Sequence, residues 1–73
     1  MPRYFFDFVK GSGVTHDYEG RDLPGDEQAR RQGELIAIDL QIGTGGEWAG
    51  WEVSVRDARG REVFSIPVPA DEG

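Results

Sequence analysis

Strand-like segments at both ends of a short chain, separated by a single helical segment, constrain this sequence most. Residues 3–9 carry aromatic side chains in an alternating pattern, which is typical of a strand. Residues 51–57 and 61–68 show the same signal on either side of a turn. Because a strand must bury one face against other elements, we expect the two ends of the chain to meet in one sheet.

The middle of the chain is predicted to be helical. Pro24 disfavours helix at the residue before it, and Asp26 is a suitable N-cap, whose carboxylate accepts hydrogen bonds from free amides. The apolar periodicity continues to about Ile42. Gly43 is then expected to end the helix in a left-handed conformation.

These segments predict an α+β fold in the order β-β-α-β-β. Residues 14–18 can return as a second, more polar strand after a glycine turn. The simplest compact arrangement is a four-stranded antiparallel sheet with one helix packed on one face. We expect a single domain over residues 1–68 and a disordered tail over residues 69–73.

Composition narrows the classes of function. The 73 residues carry a net charge of −6, and a field of this sign repels a phosphate backbone. We therefore expect no binding to nucleic acid. The chain has no cysteine, which excludes disulfides and thiolate metal sites. The first residues show no apolar run followed by a cleavage site, so we expect no signal peptide. Since no apolar run is long enough for a bilayer either, we expect a cytoplasmic protein without membrane contact.

Four segments together resemble a known family. They are the opening Met1–Asp7, the segment Asp17–Pro24, the pair Ala29-Arg30 at the start of the helix, and the closing hairpin over residues 51–61. The pattern resembles a family of short alphaproteobacterial proteins known only as a domain of unknown function. The resemblance implies a bacterial cytoplasmic protein and carries over no activity or functional residues. Gly33 departs from it, since alanine would suit the helix better, and this glycine either loosens the helix or lets the sheet approach closely.

A second similarity is to HicB-type antitoxin domains. It rests on the turn Leu23-Pro24-Gly25 before the helix. A third strand before the helix, which those domains usually have, is not predicted here. This similarity implies a role in binding a partner protein.

Polar side chains offer little catalytic chemistry. Four of them crowd one strand and the following loop, namely His16, Asp17, Glu19 and Asp22. Adjacent strand residues point to opposite faces, so we interpret this group as solvated edge and turn residues, with a divalent-metal or acid–base site as the alternative. Asp7 is expected to pair with an arginine across the sheet, such as Arg56. We expect no catalytic residues, no metal and no cofactor.

The helix carries two apolar stripes. One is expected to pack on the sheet and comprises Ala29, Gly33, Ile36 and Leu40. The other lies on nearly the opposite face and comprises Leu35, Ile38 and Ile42. Exposed aliphatic residues in a group usually mark an interface. Trp48 either joins that interface or caps one end of the sheet.

The register of the last hairpin decides whether a second apolar surface exists. Asp57 and Gly60 suit a type I turn with a bulge at the glycine. That turn would place Val55 opposite Val63, and the far face of the sheet would then be apolar. The candidate surface on that face comprises Phe5, Val9, Phe64 and Ile66. A slip of one residue would instead bury the last two under the helix.

The function that these patterns favour is a small, non-catalytic protein–protein interaction module. We expect it to self-associate as a homodimer, or else to bind another protein in the manner of HicB. The competing hypothesis is a small enzyme that binds a ligand or a metal, which would require convergent polar groups in a cleft.

Overall fold

The computed structural model describes residues 1–43, 48 and 50–69. The predicted loop residues 44–47 and tail residues 70–73 lie outside the described residues. The described elements are β1 (Arg3–Lys10), β2 (Gly13–Thr15), β3 (Arg21–Asp22), α1 (Asp26–Gly43), β4 (Glu52–Arg56) and β5 (Glu62–Pro67). No helix within these residues combines the length and the apolar character needed to cross a bilayer.

The sheet is antiparallel throughout, and its strand order is β2-β1-β4-β5. The two-residue strand β3 also pairs with β1, through Arg3 and Tyr4. The predicted α+β architecture is therefore confirmed, with one strand more than expected. The additional strand, β3, lies between the predicted second strand and the helix, and a strand of two residues leaves no periodic signal in the sequence.

The core lies between α1 and one face of the sheet. Tyr4 and Phe6 of β1 are buried there, and Val53 and Val55 of β4 are completely inaccessible to solvent. Because cross-strand partners in an antiparallel pair share a face, the pairing of Phe6 with Val55 joins the two strands in one core.

The helix approaches the sheet closely because small residues face it. The exposed fractions are 0% for Ala29 and 1% for Ala37. A Cβ atom on Gly33 would lie only 2.6 Å from Cδ1 of Ile66 and 3.1 Å from Cγ2 of Val55. Glycine thus costs about 1 kcal/mol in helix propensity but permits contact between α1 and the last two strands.

The helix begins one residue earlier than its predicted cap implies. The carbonyl oxygen of Gly25 accepts the first helical hydrogen bond, from Ala29 N at 3.1 Å, so Gly25 is the N-cap. Asp26 lies in the first turn, and its carboxylate accepts a hydrogen bond of 2.6 Å from the Tyr4 hydroxyl. Asp26 therefore ties the start of the helix to β1.

The closing hairpin has the predicted turn but not the predicted register. Gly60 adopts a φ of 86°, its N–H donates to Asp57 O, and Asp57 N–H donates to Arg61 O. This is the expected bulged turn. A second irregularity follows it, because Arg56 pairs with Glu62 while Val55 pairs with Phe64. Val63 is thus an extra residue, and the expected pairing of Val55 with Val63 is wrong.

The second bulge keeps the large apolar residues of β5 in the core. Val53 pairs with Ile66, so Phe64 and Ile66 share the face of Val53 and Val55 and pack against the core. The turn alone would have placed them on the far face. Burial of two large side chains therefore outweighs the regularity of the ladder.

The far face of the sheet is consequently polar where β4 and β5 pair. Ser54 and Ser65 lie opposite each other there, and their hydroxyls donate to Glu62 at 2.9 Å and to Glu52 at 2.7 Å. Among the four residues of the predicted apolar sheet surface, Phe5 and Val9 lie on this face, and Phe64 and Ile66 lie on the other. That surface does not form.

The end of β5 lies at an edge of the sheet, where prolines are tolerated. Val68 N–H donates to Trp51 O at 2.9 Å, and N–H groups of successive strand residues point to opposite sides. Pro67, which has no N–H, therefore has its nitrogen on the unpaired side of β5. The proline removes a donor that an approaching strand would need.

Candidate functional site

The outward face of α1 carries the largest group of exposed aliphatic side chains in the described part of the chain. The exposed fractions are 58% for Leu35, 44% for Ile38 and 75% for Ile42. These residues lie opposite Ala29 and Ala37, which face the sheet. The predicted second stripe of the helix is thus present and unburied.

This stripe extends towards the start of the helix through two polar residues. Gln28 and Arg31 precede Leu35 at the same alternating spacing, and both are exposed. We call the resulting set the outer stripe, and it comprises Gln28, Arg31, Leu35, Ile38 and Ile42. Its first half is polar and its second half is aliphatic.

Ion pairs along the helix fix the charges beside the outer stripe. Arg30 contacts Glu27 at 2.7 Å and Glu34 at 3.1 Å, and Arg31 Nε lies 3.6 Å from Glu27 Oε1. Each pair is exposed and contributes only a few tenths of a kcal/mol to the helix. Their main effect is to hold two arginine side chains against the first turns of α1.

Trp48 packs against the aromatic rings of Phe8 and Trp51. Its ring centroid lies 5.3 Å from that of Phe8 and 4.8 Å from that of Trp51. The backbone continues this contact, since Trp51 N–H donates to Trp48 O at 3.0 Å. Trp48 is half-buried by these contacts, which favours its interpretation as a cap of the sheet.

A buried carboxylate organises the far face of β1. Asp7 is only 3% exposed, and it accepts hydrogen bonds from Nε and Nη2 of Arg56 and from the backbone N–H of Asp17. The predicted pair of Asp7 and Arg56 is confirmed, and the same guanidinium lies 5.1 Å from the centre of the Phe5 ring. Burial opposes ionisation, but the donors from Arg56 and Asp17 prevail and lower the pKa of Asp7.

His16 also lies near the Asp7 carboxylate, at a longer distance than Arg56. Its Nδ1 lies 3.5 Å from Oδ2 of Asp7, and its side chain is half-exposed. The loop that carries His16 and Asp17 thereby covers the Asp7 carboxylate. Asp7 is thus a charged and buried carboxylate, and its oxygens accept hydrogen bonds from Arg56 and from Asp17 N–H.

The side chain of Asp17 closes the edge of β1 between β2 and β3. Its carboxylate accepts hydrogen bonds from the backbone N–H groups of Phe6, Glu19 and Gly20 at 3.0–3.1 Å. Burial tends to raise the pKa of Asp17, but these three amide donors outweigh it and lower that pKa. A carboxylate thus replaces the strand carbonyl that would otherwise pair with β1.

Sequence reasoning did not identify this role of Asp17, although the sequence contains a signal for it. Asp17 and Gly20 repeat the spacing of Asp57 and Gly60, and both glycines have positive φ, 72° and 86°. In each case the aspartate accepts backbone hydrogen bonds from the turn that it begins. The sequence predicts edge and turn residues around Asp17, but it does not predict that the same carboxylate also accepts a hydrogen bond from Phe6 N–H on β1.

An open groove of about 590 Å³ lies between α1, β1 and the loop after β2. Phe6, Phe8 and Ile36 supply apolar lining, while His16, Asp17, Glu19, Arg21, Gln32 and Asp39 are among the polar lining residues. The fourth member of the predicted polar group, Asp22, is engaged instead by Arg3 at 3.1 Å. Among the described residues, no three His, Asp or Glu side chains are placed to hold a metal ion.

Comparison with known proteins identifies a family and no activity. Searches of curated proteins and of solved structures found no significant match. A family profile described as "Domain of unknown function (DUF6894)" matches residues 3–69, a span that contains the five strands and the helix of the described residues. The chain is therefore a member of the DUF6894 family.

Proposed function

We propose that this protein is a non-catalytic protein-interaction module that associates with a second copy of itself through the outer stripe of α1. The observation that carries the proposal is the exposure of Leu35, Ile38 and Ile42 on one face of the only described helix. A helix that packs on a single sheet needs one apolar face. The second such face is explained by a partner that covers it.

The expected affinity is modest. Full burial of one large aliphatic side chain contributes about 1.5–3 kcal/mol, and a symmetric dimer would cover three from each copy. These side chains are only partly exposed in the single chain, so their gain is of the same order as the association cost of about 4–15 kcal/mol. We therefore propose a reversible, concentration-dependent dimer.

The chemistry of the buried carboxylates supports a non-catalytic role. A general base works best when its pKa lies near the operating pH. Asp7 and Asp17 instead have lowered pKa values, and their oxygens are occupied by Arg56 and by backbone amides. The hydrogen bonds that stabilise the two ionised carboxylates also make them weaker bases. A chain without cysteine also suits the cytoplasm, where we place the protein.

The polar groove supports a second candidate, a site for a small ligand. Its volume of about 590 Å³ lies within the range of about 300–1,000 Å³ of ligand sites. Screening small molecules by NMR tests this candidate. Binding in the groove should shift the signals of Phe8 and Ile36, whereas unperturbed signals across a broad library count against it.

The partner is proposed to be protein and not nucleic acid. The net charge is −6, and the arginines at positions 3, 30, 31, 56 and 61 all form ion pairs with carboxylates. Stacking of bases would need exposed aromatic rings on one sheet face, but Phe5 and Phe64 lie on opposite faces. Salt-dependent micromolar affinity in a fluorescence titration with single-stranded RNA would contradict this part of the proposal.

Sedimentation of an interface variant tests the proposal. Ile38→Glu places a charge in the middle of the outer stripe and is expected to abolish the dimer that we expect of the wild type at high concentration. The matched control is Val14→Glu on β2, since Val14 is exposed to a similar degree, 47% against 44%. It introduces the same charge away from the helix and should leave the dimer intact.

Two results would contradict self-association. A wild-type protein that stays monomeric at high concentration would leave a different protein as the partner, as in the HicB-like alternative. Equal loss of the dimer in both variants would show that added charge, and not the outer stripe, controls association.

A further inference from the structure

We infer that the two copies pair through their helices in antiparallel orientation, with Arg31 of each copy packed over Ile42 of the other. This inference rests on the proposed function, because it specifies how the second copy is bound. It follows from the spacing of the outer stripe and from the charges on its flanks.

The outer stripe has the spacing of a two-helix seam. Its members follow one another at intervals of three, four, three and four residues, from Gln28 to Ile42. That alternation keeps a set of side chains facing one partner helix. All five are exposed, whereas the positions that face the sheet, such as Ala29 and Ala37, are buried. The seam is therefore separate from the contacts that hold α1 to its own sheet.

Charges on the two flanks disfavour a parallel pair. Glu27, Glu34 and Gln41 lie on one flank of the seam, and Gln32 and Asp39 lie on the other, by their positions relative to the outer stripe. In a parallel pair, each residue of one flank meets the residue about five positions further along on the opposite flank of its partner. Glu34 would then meet Asp39 of the second copy, twice by symmetry, and like charges in such positions repel.

An antiparallel pair removes this repulsion. Equivalent flanks then face each other, so Glu34 lies near Gln41 of the second copy and Asp39 lies near its Gln32. Glu34 and Asp39 each meet a neutral amide, which can donate a hydrogen bond, and Glu27 stays paired with the arginines of its own helix. The arrangement is symmetric about a two-fold axis, as most homodimers are.

The same pairing matches the seam residues by size and polarity. Leu35 of one copy packs with Ile38 of the other, and Ile42 packs with Arg31. The aliphatic stem of an arginine can cover apolar surface while its charged group stays in solvent. Arg31 is suited to this role because its guanidinium already lies beside Glu27. A polar residue in a seam also favours one register over its alternatives.

Distances between spin labels test the orientation directly, since the chain has no native cysteine. Glu27→Cys and Gln41→Cys are labelled separately and measured by electron paramagnetic resonance at dimer-forming concentration. With a rise of 1.5 Å per residue, the antiparallel pair separates the two labels at position 27 by about 28 Å along the axis, and those at position 41 by about 14 Å. A parallel pair places both label pairs at the same height, about 10 Å apart.

The expected result is a clearly longer distance at position 27 than at position 41. Equal short distances at both positions, with the dimer intact by sedimentation, would overturn the antiparallel arrangement and leave self-association standing. Equal long distances would show a dimer formed through another surface. A labelled protein that sediments as a monomer, like the unlabelled wild type, would overturn the proposed function itself.

Discussion

At the scale of single residues, two aspartates hold the outer part of β1. Asp7 neutralises Arg56 beneath the loop after β2, and Asp17 accepts the amides of that loop and of Phe6. The pKa of each carboxyl is lowered despite its burial. Both groups must therefore be ionised for the fold to keep its full stability.

Stability should consequently fall in acid. In the unfolded chain these carboxyls titrate near 3.8, and in the folded protein they titrate lower, so the unfolded state binds protons more readily. The free energy of unfolding is at its full value above the unfolded pKa and is lost as pH falls through 3.8 towards the folded values. Urea unfolding across this range measures the loss, and a free energy that rises on acidification would contradict it.

Replacing the buried carboxylate should separate its contribution from that of surface acids. Asp7→Asn leaves Arg56 without a charged partner and should lower the free energy of unfolding by about 1.5–3 kcal/mol. It should also flatten the acid dependence. Asp39→Asn, an exposed change of the same chemistry, should alter stability by less than about 0.5 kcal/mol. Equal effects would mean that the Asp7–Arg56 pair contributes nothing specific.

Sequence reasoning found one of these two aspartates. The pair of Asp7 and Arg56 was predictable because opposite charges on facing strands attract each other across a sheet. The spacing of Asp17 and Gly20 indicates the turn, but the contact of Asp17 with β1 was not predictable from it. That contact depends on residues 6 and 7, which meet Asp17 only after the chain has folded back.

At the scale of elements, the contact between α1 and the last two strands depends on Gly33. Gly33→Ala should gain about 1 kcal/mol in helix propensity and lose about 1–3 kcal/mol from overpacking, since its Cβ would lie 2.6 Å from Cδ1 of Ile66. We expect a net loss of stability. Ile66→Val removes the clashing methyl group, so the double variant should be more stable than the sum of the two single changes allows.

Thermal or urea unfolding of the two single variants and the double variant measures this coupling. Strictly additive changes would show that the helix shifts away from the sheet instead of meeting Ile66. The sequence alone left the role of Gly33 open between a loosened helix and a close approach. The distance to Ile66 decides for the close approach, because it depends on how far α1 lies from β5, which no local pattern encodes.

At the scale of the whole molecule, charge opposes the proposed dimer. Two copies each carry −6, and the repulsion between them is screened over about 30 Å at 0.01 M salt but about 10 Å at 0.1 M. The dissociation constant of the dimer should therefore decrease as salt is added over this range. Sedimentation at both salt concentrations measures it. Weaker association at the higher concentration would indicate that ion pairs between the copies dominate.

The architecture was predictable because its elements are long and strongly patterned, with aromatic alternation in β1 and an apolar period through α1. The hairpin register was not, because two requirements compete there. The turn from Asp57 to Gly60 sets one alignment, and burial of Phe64 and Ile66 demands the other. The structure satisfies both by inserting Val63, which only a comparison of the two alternatives in three dimensions can select.

The extra residue at Val63 also restores the alternation of side chains between the two faces of β5. Side chains along a strand alternate between two faces, and the glycine bulge at the turn shifts this alternation by one residue. The bulge at Val63 shifts it by one residue more, so the original phase is restored. A turn shortened by one residue, combined with the deletion of Val63, would leave Phe64 and Ile66 on the core face. This hairpin can therefore be shortened in matched steps without exchanging the core face and the solvent face of the sheet.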